Sequence, residues 1–514
     1  MTTKCCSRQH VARLFCKLAQ LSADRRSPNP PDEGHRPTTK HRIAVVVALF
    51  LLLAPGLDRP LVGQTPVRAP VPKRLRFELT HQHQQETAAQ RGYRILRSKP
   101  FLPPDFDQEV FDHLWEVWPK PLRERAKKTS PAERRQWTLS RYGLMEASDH
   151  NGRQGPGLGW VHDGQGGWVM NCLACHAGKV AGRVIPGLPN THLALQTLVE
   201  DVRLVKFLQL KRPAHLELVS LKLPLGTTNG TTNSVVFGIV LGALRDADMN
   251  VDFTRPSPKL VHHDMDAPPF WNVKKKTSLY IDGHALKTHR PLVQFMLLPS
   301  NNGKTVRSWE NDFRDILAWI ESIRPPVYPW KIDRNLAVEG KTVFRRHCSR
   351  CHGTYGSDGV YHQKIVPIDV VGTDPVRLRA VTPRHRRWMR DGWLSRYGKD
   401  PVLLDPGGYV APPLDGIWAS APYFHNGSVP TLWHVLHPDR RPPVWKRTED
   451  GYNCEKVGLE ITEYADPPAE VIDRAEQRTY FDTHRRGKSS AGHLFPNALN
   501  ETEKQAVLEY LKTL

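Results

Sequence analysis

The chain has 514 residues, of which 39% are hydrophobic and 24% charged, so it has room for two to four domains that each bury a core. Its formal net charge of +21 falls to +15 without residues 1–64, a stretch with ten Lys and Arg against four Asp and Glu. Such a charge can steer an acidic partner protein or simply form a solvated basic surface. No nucleic-acid-binding module accompanies it, so we exclude nucleic acid as a partner.

The first 64 residues are typical of an export signal. Residues 1–39 are polar, basic and Pro-rich, and Lys40-His41-Arg42 then precedes the short apolar run Ile43–Ala54. This layout predicts a signal peptide cleaved near residues 60–64, with an uncleaved N-terminal membrane anchor as the alternative. The long pre-sequence indicates a start codon assigned too early, so residues 1–39 are expected to carry no function. The predicted location is the periplasm or another extracytoplasmic compartment.

Helices joined by turns are predicted from Arg91 to Gly143. Asp105 or Asp107 is expected to cap a segment whose apolar residues recur at helical intervals. The members of that segment are Phe111, Leu114, Trp115 and Trp118. A Gly-rich stretch from Gly152 to Gly167 then leads to the first of two short motifs.

A Cys-x-x-Cys-His motif occurs twice, at residues 172–176 and 348–352. In this motif two thiols add to the vinyl groups of a porphyrin and the histidine ligates its iron, so the pattern predicts two covalently bound haem c groups. The predicted attachment and ligand residues are Cys172, Cys175, His176, Cys348, Cys351 and His352. A zinc site or a thioredoxin-like redox pair fits less well, because neither requires a histidine after the second cysteine in both copies. Haem c attachment is completed outside the bacterial inner membrane, which agrees with export.

The other four cysteines do not indicate a disulfide scaffold. Cys5, Cys6 and Cys16 precede the predicted mature start, and Cys454 stands alone. The predicted redox chemistry of the chain therefore rests on the two haem motifs.

Between the motifs, the sequence predicts a long amphipathic helix from Thr191 to Lys211 and a Gly, Thr and Asn loop from Leu223 to Asn233. The segment from His262 to Arg290 is unusually rich in imidazole and indole, a composition that can line a haem pocket. Its members are His262, His263, Trp271, His284 and His289. A second amphipathic helix is predicted from Arg307 to Ile323 and ends before Pro325-Pro326.

We place a domain boundary after this helix, which separates a first cytochrome c-like domain at residues 90–328 from a second at 329–514. Asp333 is expected to cap a helix that runs into the second motif, and Asn500 with Glu503 to form a capping box that opens a terminal helix. The terminal helix should cross the helix that precedes the motif. The predicted fold class is mainly α, with two cytochrome c-like helical domains, one haem in each, and long loop insertions.

Residues 411–432 read APPLDGIWASAPYFHNGSVPTL, and together with CSRCHG at 348–353 they resemble the di-haem cytochrome c peroxidase superfamily. Over roughly residues 90–514 the pattern looks most like the rubber-oxygenase-like di-haem cytochromes, a group with many planctomycete-type members. The resemblance implies that one haem is the reactive site and that the other passes electrons, with a tryptophan between them.

Carried over to this chain, the resemblance makes His176 the proximal ligand of the reactive haem and His352 that of the electron-transfer haem. Trp271 would lie at the relay between the haems, with an ordinary core position as the alternative. His192 follows His176 by sixteen residues, the interval at which peroxidase relatives place a displaceable distal histidine. Rubber-oxygenase relatives leave the distal side free for oxygen, and His192 is then a polar residue in the first turn of a helix.

The sixth ligand of the second haem is expected shortly before the terminal helix. Peroxidase relatives have a methionine there, whereas this chain has His493 and no methionine after Met389. Ligation by two histidines follows, which lowers the haem potential relative to His/Met ligation. His425 in the PYFHNG string is the competing candidate, although in the family it usually lies near that haem without ligating it.

Peroxidase relatives also keep a glutamate over the reactive haem, downstream of the relay tryptophan, as the acid/base group for O–O cleavage. Residues 287–298 contain no carboxylate, so peroxide chemistry lacks its usual group here. The candidates offered nearby are His284, His289 and Gln294.

Two functions follow from these expectations. The first is an exported oxidoreductase whose first haem binds oxygen or peroxide and whose second haem transfers electrons, with a redox partner protein and a small oxidant or organic substrate. The second is a pure electron carrier with both haems six-coordinate.

Overall fold

The computed structural model describes residues 85–146, 155–255 and 261–514. The predicted signal peptide or anchor, three N-terminal cysteines and part of the Gly-rich stretch before the first motif lie outside the described residues. In the part of the chain that the structure describes, no helix is both long and apolar enough to cross a bilayer.

Most helices are short, and the longest, Leu195–Leu208 and Arg334–His347, have 14 residues each. The α-helices of the described residues are Ala88–Ser98, Gln108–Asp112, Lys120–Ala126, Pro131–Tyr142, Leu173–His176, Leu195–Leu208, His215–Ser220, Ser234–Ala243, Gly303–Ser308, Glu310–Ser322, Arg334–His347, Ser349–His352, Ile368–Val371, Val376–Ala380, Pro383–Asp391, Leu432–Leu436, Arg474–Gln477 and Glu501–Leu511. Two 3-10 helices, Phe270–Lys275 and Arg290–Met296, lie between the motifs.

The strands form several small antiparallel sheets. Their bounds are β1 Phe106–Asp107, β2 Trp160–His162, β3 Gly167–Met170, β4 Ala177–Val180, β5 Arg183–Pro186, β6 Thr231–Thr232, β7 Met265–Asp266, β8 Ser278–Leu279, β9 Ala285–Leu286, β10 Ile365–Pro367, β11 Gly408–Val410, β12 Val444–Asn453, β13 Gly458–Tyr464 and β14 Tyr480–Asp482. Two of the sheets have three strands, in the orders β1-β3-β2 and β13-β12-β14, and the others are pairs.

The prediction of a mainly α fold is wrong. Helices make up 42% of the structure and strands 14%, so the fold is not two plain helical cytochrome domains. Strand β3 leads into the first motif, the β4–β5 hairpin follows it, and β10 and β11 pair after the second motif. Most strands have two to four residues, which is too short for an alternating pattern to be visible in the sequence.

Two predicted helices differ from the observed ones. The segment predicted from Thr191 to Lys211 becomes helical only from Leu195 to Leu208. His192 therefore precedes the helix rather than occupying its first turn. The segment predicted from Arg307 to Ile323 lies in two helices that meet at Trp309, which is non-helical and caps both.

The helix Arg334–His347, which we call the motif helix, leads directly into the second motif as predicted. Asp333 caps it, since its carboxylate accepts a hydrogen bond from Leu336 N–H at 3.0 Å. The terminal helix Glu501–Leu511 opens with the predicted capping box and packs across the motif helix. A β-carbon at Gly340 would lie 1.9 Å from the carbonyl oxygen of Ala506, so only glycine permits this crossing.

Apolar side chains from both sides of the predicted domain boundary share one hydrophobic cluster. Leu188 and Trp271 precede the boundary, and they pack with Phe344, Trp418 and Leu511, which follow it. This cluster holds the segments around the two motifs against each other. The division at residues 328 and 329 stays a prediction.

Candidate functional site

The first motif sits at the end of a sheet strand. Strand β3 ends at Met170, and one helical turn, Leu173–His176, carries the motif histidine. The His176 Nδ1 lies 3.1 Å from the carbonyl oxygen of Pro268, and its ring stacks on Phe270 with centroids 3.9 Å apart. A small cleft, lined mainly by apolar side chains, reaches Cys172.

The second motif repeats this arrangement. The His352 Nδ1 lies 2.9 Å from the carbonyl oxygen of Pro412. Pro268 and Pro412 occupy the same place in two Ala-Pro-Pro sequences, at residues 267–269 and 411–413. Sequence reasoning missed this repeat, although the identical tripeptides were there to be read.

The two carbonyl contacts decide which imidazole nitrogen is available to a metal. Because a carbonyl only accepts, Nδ1 of His176 and of His352 must be the N–H donor, which leaves each Nε2 with its lone pair free. Burial lowers the pKa of His176 to about 4, and burial also lowers the pKa of His352. Both rings are therefore neutral at physiological pH, the form that ligates iron.

His493 faces the second motif. Its ring centroid lies 6.2 Å from that of His352, with the planes inclined at 63°. Two metal–imidazole bonds of about 2 Å each, plus a ring radius of about 1 Å on either side, also amount to about 6 Å. Burial lowers the pKa of His493 to about 3, and its buried Nδ1 has no hydrogen-bond partner. These residues fit a haem iron held between two neutral histidines.

A strained turn positions His493. Gly492 and His493 have φ angles of 81° and 51°, both in the left-handed region that favours glycine. The His493 N–H donates to the carbonyl of Val371 at 2.6 Å. A β-carbon on Gly492 would lie 2.2 Å from the carbonyl carbon of Gly372, so this backbone contact requires glycine.

His425 lies in a different environment. Its ring centroid is 4.5 Å from that of Tyr409, while the preceding residue, Phe424, lies 6.0 Å from His493. Burial lowers the pKa of His425 to about 3, and the Arg377 charge contributes to the shift. His425 thus neighbours the second site without the ring pairing that His493 makes.

His192 points to a carboxylate. Its Nε2 lies 3.2 Å from Asp450 Oδ1, and Lys179 Nζ lies 2.5 Å from the other oxygen of the same carboxylate. The structure therefore gives His192 a polar partner on the β12 strand. Its role as a distal ligand stays a prediction.

Trp271 lies between the two Ala-Pro-Pro segments. It is 3% exposed, follows Phe270, and donates a hydrogen bond from Nε1 to the carbonyl oxygen of Asp415 at 2.7 Å. The next residue, Asn272, donates from its side-chain amide to the carbonyl of Pro413 at 3.1 Å. These two bonds join the segment that holds His176 to the segment that holds His352.

Two of the three acid/base candidates meet at one tyrosine. The His284 ring stacks on Tyr280 with centroids 4.4 Å apart, and the Gln294 amide donates to the Tyr280 hydroxyl. His289 lies elsewhere, with Nε2 at 3.1 Å from Glu310 Oε1.

Asp282 is the functional candidate that the sequence reasoning missed. It is fully buried, and its Oδ1 lies 2.8 Å from His284 Nδ1. Burial alone would raise its pKa, but Arg377, His284 and Arg386 together hold the pKa well below its usual range. The available sequence signal was the Asp-x-His spacing at residues 282–284, just upstream of residues 287–298, which contain no carboxylate.

A short segment in the second half of the chain matches a family model. Residues 408–446, which include the PYFHNG string, match the family model described as RoxA-like, cytochrome c-like. This segment is therefore similar to part of a RoxA-like, cytochrome c-like domain, a kind of domain that implies a haem c cofactor.

Two proteins of Sinorhizobium fredii (strain NBRC 101917 / NGR234) are similar to this chain. Uncharacterized protein y4iM is 29% identical over 202 residues, which cover 34% of this chain and 44% of the relative. Uncharacterized protein y4iJ is 28% identical over 258 residues, which cover 37% of this chain and 41% of the relative. The chain therefore spans less than half the length of these relatives.

Proposed function

We propose that this chain is an exported di-haem c-type cytochrome that acts as an oxidoreductase. The observation that carries the proposal is the repeated arrangement at the two motifs, in which a proline carbonyl fixes Nδ1 of each histidine. If the chain bound a single haem, one of these two oriented imidazoles would have no iron to ligate. As part of the same proposal, the chain is related to the di-haem peroxidases and to the rubber-oxygenase-like cytochromes.

The two sites differ in a way that supports different roles. The second site pairs His352 with His493, which favours a six-coordinate, electron-transferring haem of low potential. Within the described residues, the ring contact of His176 is with Phe270, and no histidine ring faces it as His493 faces His352. A haem bound at the first site would supply iron with a free position for oxygen or peroxide.

The chain's own residues then supply the connection and the protons. Trp271 joins the two segments that hold the motif histidines, which supports a relay role. Asp282 holds the proton of His284 on Nδ1, so Nε2 of that ring is the atom that can accept a proton. Cys172 and Met296 line one cleft, so the helix that carries Gln294 lies beside the first motif.

Export, the partner and the substrate class complete the proposal. The Lys40-His41-Arg42 and Ile43–Ala54 layout supports a periplasmic or other extracytoplasmic location, with membrane contact only through an uncleaved anchor. The net positive charge supports an acidic redox partner, and the substrate is a small oxidant or an organic molecule.

Covalent haem content and carbon monoxide binding test the proposal. The exported protein should hold two haems per chain that resist acid-acetone extraction. Replacing Cys172 and Cys175 by Ala should leave one haem that is closed to carbon monoxide when reduced. Replacing Cys348 and Cys351 by Ala should leave one haem whose spectrum shifts with carbon monoxide. One haem in the unaltered chain would refute the di-haem proposal, and two haems that are both closed would make the protein an electron carrier.

A further inference from the structure

Arg377 is a buried cation without a hydrogen-bond acceptor. Its side chain is 1% exposed, and none of its three guanidinium nitrogens makes a hydrogen bond to a described residue. Arginine is always charged in proteins and presents five N–H groups. Buried donors are nearly always paired, so an orphaned guanidinium indicates a group that the polypeptide itself does not provide.

Asp282 does not supply the missing acceptor. Its Oδ1 accepts from His284 at 2.8 Å and its Oδ2 accepts from Arg386 at 2.6 Å. Arg377 Nη1 lies 3.3 Å from that Oδ2 but does not have hydrogen-bond geometry. Two buried guanidinium groups thus share one carboxylate, and it is already hydrogen-bonded to Arg386 and His284.

His263 is a neutral imidazole within range of the Arg377 charge. His263 is 4% exposed, its Nδ1 lies 2.9 Å from the carbonyl of Val261, and its buried Nε2 has no partner. Burial and, to a smaller extent, the Arg377 charge lower the pKa of His263 to about 4, so the proton stays on Nδ1 and Nε2 is an acceptor that cannot donate to an anion. The Arg377 charge acts on His425 in the same way.

The location points to the second motif. His425 follows Phe424, whose ring lies 6.0 Å from His493. Helix Val376–Ala380 follows the Gly372–Thr373 backbone against which the Gly492 turn packs. A group held at Arg377 therefore lies on the His493 side of the second site.

We infer that Arg377 holds a carboxylate. The planar fork of a guanidinium matches a carboxylate with two parallel hydrogen bonds, and the cluster needs a negative charge. The source we favour is a propionate of the haem at the second motif, and this source rests on the proposed function. A free organic acid has the same chemistry and is the other source.

Reduction potentials test the propionate. In Arg377→Gln the propionate loses its counter-charge, which stabilises ferric iron. We expect the oxidised-to-reduced ratio of the second haem, at fixed electrode potential, to rise at least tenfold, a fall of 59 mV for one electron. Arg379→Gln, which removes an exposed arginine from the same helix, should leave the potential unchanged. If Arg377→Gln does not fold, Arg377→Lys keeps the charge without the fork and should give a smaller fall in the same direction.

Acetate tests the free acid and does not depend on haem. If a free acid is the occupant, acetate should raise the thermal midpoint of the unaltered protein in a saturable way, and Arg377→Gln should abolish this effect while Arg377→Lys weakens it. A potential shift without an acetate effect supports the propionate, and an acetate effect without a potential shift replaces it by a free acid. Absence of both overturns the carboxylate site. If the second motif holds no haem, the di-haem proposal is refuted. The carboxylate site would still be tested by the acetate measurement, which does not require haem.

Discussion

Replacing Gly492 by Ala tests whether the turn before the terminal helix delivers the ligand of the second haem. The new β-carbon would lie 2.2 Å from the carbonyl carbon of Gly372 and 2.4 Å from Thr373 N. Ordinary carbon contacts need about 3.5 Å, so the turn must move by about 1 Å. Ligand distances at metal sites tolerate about 0.2 Å, so a shift of this size should remove His493 from the iron.

The expected cost has two parts. A non-glycine residue in the left-handed region costs about 1–2 kcal/mol, and forcing extra volume against packed backbone adds about 1–3 kcal/mol. The free energy of unfolding should therefore fall by about 2–5 kcal/mol. Gly407→Ala is the matched control, because Gly407 has a φ of 64° and nothing within 4 Å of its β-carbon position, so it should cost only about 1–2 kcal/mol.

The assay is carbon monoxide binding to the reduced protein, together with denaturant unfolding. Both glycine variants are made on the Cys172→Ala/Cys175→Ala background, so that only the second haem reports. Gly492→Ala should bind carbon monoxide, and Gly407→Ala should stay closed. If Gly492→Ala loses the expected stability and its haem nevertheless stays low-spin and closed, His493 is not the ligand.

Three further predictions follow. On the same background, His493→Ala should open the second haem to carbon monoxide while His425→Ala leaves it closed, and the reverse pattern would make His425 the ligand. Trp271→Phe should slow electron equilibration between the haems with nearly unchanged spectra, and the lost Nε1 hydrogen bond should cost about 0.5–1.5 kcal/mol by denaturant unfolding; an unchanged rate would make Trp271 ordinary core. Asp282→Asn should destabilise the protein by about 3–5 kcal/mol at neutral pH, since it leaves buried Arg386 unpaired. Because the folded pKa of Asp282 lies below its unfolded value of about 3.9, its stabilisation is present above that pH and is lost on acidification, so the penalty should shrink in unfolding experiments below pH 4.

Local signals in the sequence correctly predicted where the motif helix and the terminal helix begin. Asp333 before an apolar helical pattern, and Asn500 followed by Glu503, are caps whose hydrogen bonds form within three or four residues. Asp107 was named as a cap for the same reason and bonds Val110 N–H at 2.9 Å. Asp105, the other candidate, accepts instead from Met170 N–H, a partner that only the tertiary fold brings near.

Long-range contacts explain what the sequence could not reveal. Strand β12 forms a hairpin with β13 and also pairs with β14. Neither β12 nor β14 carries a strict alternation of apolar residues. The resemblance to di-haem peroxidases places the expected carboxylate downstream of Trp271. In this fold, Arg377 and Arg386 come from about a hundred residues away to stabilise Asp282 instead.

The two Ala-Pro-Pro segments link the first and second halves of the chain, and each segment also contacts a motif histidine. In each segment the first proline carbonyl holds a motif histidine, so a displacement of either segment would rotate an imidazole. Trp271 and Asn272 bind the second segment through side-chain hydrogen bonds that span more than 140 residues of sequence. The two histidines are thus held in one hydrogen-bonded unit. This arrangement favours a fixed geometry between the two motif histidines, because the hydrogen bonds of Trp271 and Asn272 resist displacement of one segment relative to the other.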